Sequence, residues 1–423
     1  MDALNKGSLD VLVPRSLITD GVNFLDLSCN EEGLSPVRIV WESGKIKSLA
    51  GIRNSPKSPG KILLPRFAEV HTHLDKAFTW QDFPNYIGTY QNALDLNLNE
   101  HKRRTSNGIK YRAEKALNLA LKNGIRAIRT HVDSLELVVD QSWDVLIDLK
   151  KKWKPLIDIQ LVALVPLEYW ASPEGERLLE RVSKFGGLLG GVVSPPFNGS
   201  KTSKSLIHLI RIANQIGCGI DLHIDESDLF PGAGLKLLIK ALNKIELKVP
   251  LTCSHSSSMS LLAPKALSDL ADQLAFYKVN VVALPLTNAW LLGRNGRDTS
   301  MKRPLAPISQ LQKAGVTVAI GGDNIKDPWF PLNGLDPIGL MAFSIPLAHL
   351  APWQRLGLSS LTTSSARIMG LKWDGTFFKG SPADWVLLEA DNWSEALSFQ
   401  VKRNIIINGN FLEEFINLKN SNF

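Results

Sequence analysis

Short runs of apolar, mostly β-branched residues alternate along the chain with longer segments whose apolar positions recur at helical spacing. The runs are KILLPRFAEVHTH at 61–73, AIRTHVD at 127–133, DIQLVALVP at 158–166 and LLGGVVSPP at 188–196. They continue with GIDLHIDE at 219–226, PLTCSHS at 250–256, VNVVALPLTN at 279–288 and GVTVAIGGDN at 315–324. Continuous apolar character marks strands buried on both faces, and stretches such as IKYRAEKALNLALKNG and SKSLIHLIRIANQIG supply the helical crossovers between them. Eight such units predict an α/β fold, a parallel (β/α)8 TIM-type barrel over residues 64–375. Residues 1–63 and 376–423 read differently, as short β-rich stretches (VRIVWESGKIKSLAGI, ADWVLLEAD, VKRNIIINGNF). Neither end is large enough to stand alone. Because the termini of a closed barrel return to one side, the two ends are expected to combine as one small composite β-sandwich domain.

Composition narrows the class without changing this picture. Hydrophobic residues at 44% and charged residues at 21% exclude a disordered or collagenous chain. The 48 basic and 41 acidic side chains leave an excess of +7 that is spread along the chain, as solvated helix faces produce, with no basic stripe for nucleic acid. Three cysteines (Cys29, Cys218, Cys253) form neither a CxxC pair nor a disulfide framework, which fits a reducing compartment. No apolar stretch approaches the ~18 residues of a membrane span and the first residues lack a signal-peptide core, so a soluble, cytoplasmic protein is expected.

The side chains able to bind metal or move protons fall at the C-terminal ends of the predicted strands, the end where barrels of this kind place their chemistry. His71 and His73 are one residue apart, so on a strand both rings point to one side and can reach one ion. His223 ends the fifth run. Glu226, three residues on, joins it only if the strand stops near His223 and the loop brings the carboxylate back. His255 ends the sixth run and Asp323 the eighth. Taken singly, His255 suits a satisfied core histidine, Asp323 a helix N-cap and Glu226 a solvated loop carboxylate. Their joint placement on strands one, five, six and eight points to a shared site. Three imidazoles and one carboxylate suit a single borderline divalent ion, zinc or iron(II), with one position open for water.

The strings HTHLDK at 71–76, THVD at 130–133, LHIDE at 222–226, SH at 254–255 and GDN..DPW at 322–329 together resemble the cytosine deaminase branch of the amidohydrolase superfamily. The resemblance spans essentially the whole barrel, and the β-rich ends look like that superfamily's composite small domain. It implies His71, His73, His223 and Asp323 as metal ligands, Glu226 as proton shuttle and His255 as the histidine flanking the attacking water. No carbamylated lysine is implied, because Ser194, Pro195 and Pro196 stand where two-metal relatives place it. His131 coincides with a family histidine whose role is as readily structural as functional.

The implied reaction is hydrolytic deamination of a cytosine-like or related nitrogen heterocycle. A bound ion lowers the pKa of its water from about 15.7 toward about 7, and the resulting hydroxide attacks the amine-bearing carbon. Glu226 protonates the adjacent ring nitrogen, and ammonia leaves. Two positions depart from the cytosine-specific pattern. Leu167 follows Pro166 where a glutamine reads the pyrimidine edge, so Glu168 or a different substrate must compensate, and Asn324 replaces a second acid after Asp323. Trp329 matches a pocket tryptophan, and Lys76 is read equally as a substrate contact or a surface lysine. The alternatives are an amidohydrolase that removes an alkylamine from an N-substituted aminotriazine or opens a cyclic amide, and, in a different class, a non-catalytic barrel scaffold. The HxE and PCxxC signature of nucleic-acid deaminases is absent. Analogy with relatives extends to a homo-oligomer.

Overall fold

The computed structural model describes residues 5–19, 27–52, 59–135, 138–294, 298–398 and 400–415. It divides into two compact units: Met1–Ala68 with Leu121–Arg126 and Asp336–Phe423, and Glu69–Ala120 with Ala127–Leu335. The strands in chain order are β1 (Lys6–Pro14), β2 (Leu34–Glu42), β3 (Lys45–Gly51) and β4 (Ile62–Pro65), then β5 (Phe67–Thr72), β6 (Ile125–Asp133), β7 (Asp158–Leu164) and β8 (Leu188–Val193). Next come β9 (Ile220–Ile224), β10 (Leu251–His255), β11 (Asn280–Ala283) and β12 (Val318–Ile320), followed by β13 (Trp385–Leu388), β14 (Arg403–Ile407) and β15 (Asn410–Phe411).

In the first unit both chain ends build one seven-stranded sheet, in the order β15-β14-β13-β4-β1-β2-β3. Its hairpins turn where Ser43–Gly44 and Asn408–Gly409 supply two successive residues of positive φ, the turn geometry that matches strand twist. Trp41 of β2 and Trp385 of β13, three places apart in that order, meet edge to face with centroids 5.5 Å apart. The layered packing expected of a sandwich therefore comes from one sheet curled on itself. The join is direct, because β4 pairs antiparallel with β13 and parallel with β1.

The run at 61–73 serves both sheets. Residues up to Pro65 belong to the curled sheet, and from Phe67 the chain enters the barrel. β5 to β12 follow one another in sequence order as an eight-stranded sheet with parallel neighbours throughout the paired registers from β6 to β12. The ring closes where the Asp323 N–H donates to the His71 carbonyl at 2.9 Å and Thr72 bridges Asp323 in parallel. The connecting helices are α1 (Tyr90–His101), α2 (Ser106–Lys122), α3 (Val138–Trp153), α4 (Pro173–Lys184), α5 (Gly199–Ile216), α6 (Ala233–Leu242), α7 (Pro264–Phe276), α8 (Pro285–Leu291) and α9 (Ile308–Lys313). In α5, Asn198 accepts from the Lys201 N–H at the start and Gly217, at φ +71°, ends the helix; Leu206, Leu209, Ile210 and Ala213 form its buried stripe. The apolar run at 279–288 is only half strand. It stops at Ala283, and Pro285 opens α8, as proline in a first helical turn favours.

Candidate functional site

Strand alternation sets which side chains enter the barrel. Glu69 and His71 on β5, with His73 just beyond it, share one face, as do Arg129, His131 and Asp133 on β6, Asp221 and His223 on β9, and Thr252 and Ser254 on β10. All are buried. Interior polarity at this density demands partners, and at the lower level it finds them. Arg129 Nη1 donates to Asp221 Oδ2 at 2.9 Å, and Ser254 Oγ donates to Asp221 Oδ1 at 2.8 Å. The same Ser254 hydroxyl lies 2.9 Å from His71 Nδ1, so it accepts a hydrogen bond from the N–H of that nitrogen and leaves Nε2 with the free lone pair. His73 is oriented likewise, with Nδ1 3.1 Å from the His131 carbonyl.

One level up the partners run out. His71 Nε2, His223 Nδ1, His255 Nε2 and both carboxylate oxygens of Asp323 are buried without a hydrogen bond. Donor atoms of His71, His73 and Asp323 lie within 4.8 Å of one another, and so do those of His71, His223 and His255. Asp323 Oδ1 is 3.5 Å from His71 Nε2 and 3.3 Å from His73 Nε2. Burial holds the rings of His71, His73 and His223 well below the ordinary histidine range and His255 at about 3, so all four are neutral, and those of His71, His73 and His223 can offer lone pairs. Buried orphan acceptors are costly, and a cation among them satisfies several at once. His131 stacks on His71 at 3.9 Å, and both of its ring nitrogens lack hydrogen bonds. Its donor atoms also cluster with His71 and Asp221, but both Asp221 oxygens are already engaged.

The strand tips turn sharply. Asp225, His255, Ser256 and Asp323 all take positive φ, between 52° and 70°. For residues with a β-carbon this is a sparsely used region that persists only when neighbours fix it. At Asp225 the fixing groups are clear: its carboxylate accepts from the Gly234 and Leu235 N–H groups at the start of α6, at 2.8 and 3.0 Å. That turn ends β9 at Ile224 and returns Glu226 to the cluster, with Oε1 3.4 Å from His255 Nδ1. Burial, then the Asp323 charge, raises the Glu226 carboxyl well above the usual range. Asn288 of α8 donates to His255 Nδ1 at 3.1 Å.

A second buried group flanks the cluster. Lys76 Nζ contacts Asp133 Oδ1 at 3.1 Å and stands 5.8 Å from the centre of the Trp329 ring. Asp133 also accepts from His101 Nε2 at 2.8 Å and Arg104 Nη2 at 3.1 Å, and Arg104 continues to Asp75 at 2.8 Å. Asn324 donates to Asp327 Oδ2 at 3.0 Å, and Asp327 Oδ1 accepts the Trp329 N–H at 2.9 Å, so the segment after Asp323 is tied together.

Leu167 and Glu168 do not join this group. A β-carbon on Gly191 would lie 2.7 Å from Leu167 Cδ2 and 3.3 Å from Leu222 Cδ2. Leu222 points away from the barrel axis because its neighbour His223 points toward it, so Leu167 packs on the wall's outer side. Glu168 is exposed, with Lys201 Nζ 3.6 Å away. Among the residues the sequence reading passed over, Asp221 carried a signal, since it lies two before His223 on the same strand face. Ser254, Asn288, Asp133 and Tyr90 carried none that spacing could single out.

The amidohydrolase family profile matches residues 192–409. The chain is 32% identical to a pterin deaminase from Rhizobium rhizogenes over 379 residues, covering 87% of this chain and 86% of that one. It is 24% identical to an N-isopropylammelide isopropyl amidohydrolase from a Pseudomonas species, over 94% of this chain and 95% of the relative. In fold it is similar to the crystal structure of a 5-methylcytosine deaminase from Klebsiella pneumoniae, with TM-score 0.81, 23% identity and 96% and 98% of the two chains covered.

Proposed function

The chain belongs to the amidohydrolase family, and on that premise we propose that it is a metal-dependent hydrolytic deaminase of an amino-substituted nitrogen heterocycle, with a pterin as the favoured substrate. The observation that carries the metal is the set of partnerless buried acceptors on His71, His223 and Asp323, with His73 beside them. These four residues would hold one zinc or ferrous ion. A divalent ion held there supplies, from water, a nucleophile strong enough to act at neutral pH.

The protein's own groups do the rest. Glu226 keeps its proton near neutrality because burial and Asp323 oppose its ionisation, and it delivers that proton to the ring nitrogen beside the amine-bearing carbon. The protonated ring is the better electrophile. Neutral His255, whose Nδ1 accepts from Asn288, carries its proton on Nε2, donates a hydrogen bond to the oxygen of the attacking water and fixes its line of approach. As the water adds it gives one proton to the Glu226 carboxylate, and Glu226 passes that proton to the amine. The carbon–nitrogen bond breaks with release of ammonia, and the remaining hydroxyl proton returns to Glu226 as the carbonyl forms. Trp329 offers a flat aromatic face beside this centre.

The pterin reading rests on the 32% identity to pterin deaminase over most of both chains. The outward packing of Leu167 also supports a substrate other than cytosine, since no carboxamide reads a pyrimidine edge from that position. Displacement of an alkylamine from an aminotriazine is the second reading, favoured by the relative that matches 94% of this chain. Amine release, as ammonia from pterin, cytosine and 5-methylcytosine and as isopropylamine from N-isopropylammelide, measured with zinc-loaded and iron-loaded protein, separates them. Release from pterin at the highest kcat/KM is expected, and inactivity on all four would end the deaminase reading.

A further inference from the structure

Tyr90 opens α1, and the loop that leads to it is stapled by a buried asparagine. Asn85 Nδ2 donates to the Thr89 carbonyl at 3.1 Å, while its Oδ1 accepts from the Gly88 N–H at 2.8 Å and from Asn92 Nδ2 at 2.6 Å. The Tyr90 ring meets Trp329 edge to face, with centroids 5.0 Å apart and planes at 76°. It packs on a small apolar group of Ala93, Leu291 and Leu292 and remains partly exposed. Desolvation of the phenol and the nearby carboxylates of Glu226 and Asp323 hold its pKa above the usual tyrosine range.

Lys76, two indoles and Tyr90 offer donors at or near this apolar group and the Trp329 ring, and they differ in availability. The Lys76 ammonium is already engaged by both Asp133 oxygens, at 3.1 and 3.4 Å. The indole N–H groups of Trp290 and Trp329 lack partners but are sealed from solvent. Tyr90 is partly exposed, and its hydroxyl has no hydrogen-bond partner among the described residues. A protonated phenol set edge to face against the Trp329 ring is a donor in search of an acceptor. Leu167, turned outward, supplies none of the recognition.

We propose that Tyr90 is a specificity-determining residue whose hydroxyl donates a hydrogen bond to an oxo oxygen of the substrate, selecting amino-oxo heterocycles over amino heterocycles without that oxygen. This rests on the deaminase reading above. Pterin and cytosine share the required feature, an oxo carbon separated from the amine-bearing carbon by one ring nitrogen. A site that offers a fixed donor to that oxygen loses one hydrogen bond with a substrate lacking it, and the Phe variant loses the same bond with a substrate that has it.

The test is a two-by-two comparison: wild type and Tyr90→Phe, each with pterin and with 2-aminopteridine, which lacks the oxo group. Ammonia release gives kcat/KM, calorimetric titration gives binding, and metal content and thermal melting are measured alongside. The proposal expects Y90F to lose about tenfold or more with pterin and less than about twofold with 2-aminopteridine, with metal content unchanged. Equal losses on both compounds, or none on pterin, would overturn the Tyr90 assignment while leaving the deaminase reading intact. Wild-type protein that neither binds nor deaminates either compound, nor cytosine and 4-aminopyrimidine, would overturn the deaminase reading and the assignment with it.

Discussion

Asp323 donates its backbone N–H to the carbonyl of His71 at 2.9 Å, so the ring of strands closes through two residues whose side chains face the same cluster. The closure is braced from below by Glu69, which accepts from the His71 N–H at 3.0 Å and the Gly322 N–H at 3.1 Å. Gly322 gives these side chains room, since a β-carbon there would lie 2.7 Å from Asn333 Nδ2 and 3.0 Å from Glu69 Oε2 and would displace them. Glu69→Ala leaves both N–H groups without an acceptor in a dry interior. A loss of about 1–3 kcal/mol for each orphaned donor is expected in urea unfolding. A variant as stable as wild type would show that the brace is dispensable.

Ser254 connects His71 to Asp221 and fixes which imidazole nitrogen carries the proton. Ser254→Ala should therefore weaken zinc binding by about 10- to 100-fold, read by competition with a chromophoric chelator. Unchanged affinity would remove the serine from the metal's support.

Glu226 stands 3.4 Å from His255 and holds its proton through burial. Glu226→Gln keeps the shape and removes the acid. Turnover should fall by at least ~10²-fold with metal content unaltered. Retention of full turnover would take Glu226 out of the mechanism.

Burial alone would raise the Asp133 carboxyl, but Lys76, His101 and Arg104 together hold it well below the usual range. A depressed carboxylate contributes stability that is present above its unfolded value of about 3.9 and is lost as pH falls through the folded value. Acid unfolding should accordingly steepen below about pH 4 in wild type and flatten in Asp133→Asn. At pH 7 that variant should be less stable by about 3–5 kcal/mol, because Lys76 loses its carboxylate while still buried. Coincident acid-unfolding curves for the two proteins would contradict the ion-pair account.

Much of this was legible in the sequence because barrel strands leave two signs at once, an apolar run and a polar residue at its end. His71, His73, His223, His255 and Asp323 each stand at such a tip, and the structure brings them together. Glu226 was legible through a geometric argument, since alternation alone sends it away from His223 and only a turn at Asp225 returns it. Continuous apolar runs were a weaker guide where two structures share one run. The break at Arg66 between the two sheets and the start of α8 at Pro285 both lie inside such runs. Leu167 was singled out by the family resemblance, at the position after Pro166, yet a side chain one residue beyond the wall can turn outward, and here Gly191 leaves it the room to do so. Asp133 and Tyr90 were illegible for another reason. Their significance comes from partners as distant as Trp329, and no local pattern encodes such pairings.

The central claim is that one divalent ion, held by His71, His73, His223 and Asp323, is required for deamination. The direct measurement strips the protein with a chelator, adds back zinc or iron(II) in substoichiometric steps, and follows ammonia release from pterin alongside bound metal. Activity should rise linearly and level off at about one ion per chain. Full activity in protein that carries no metal would contradict the account.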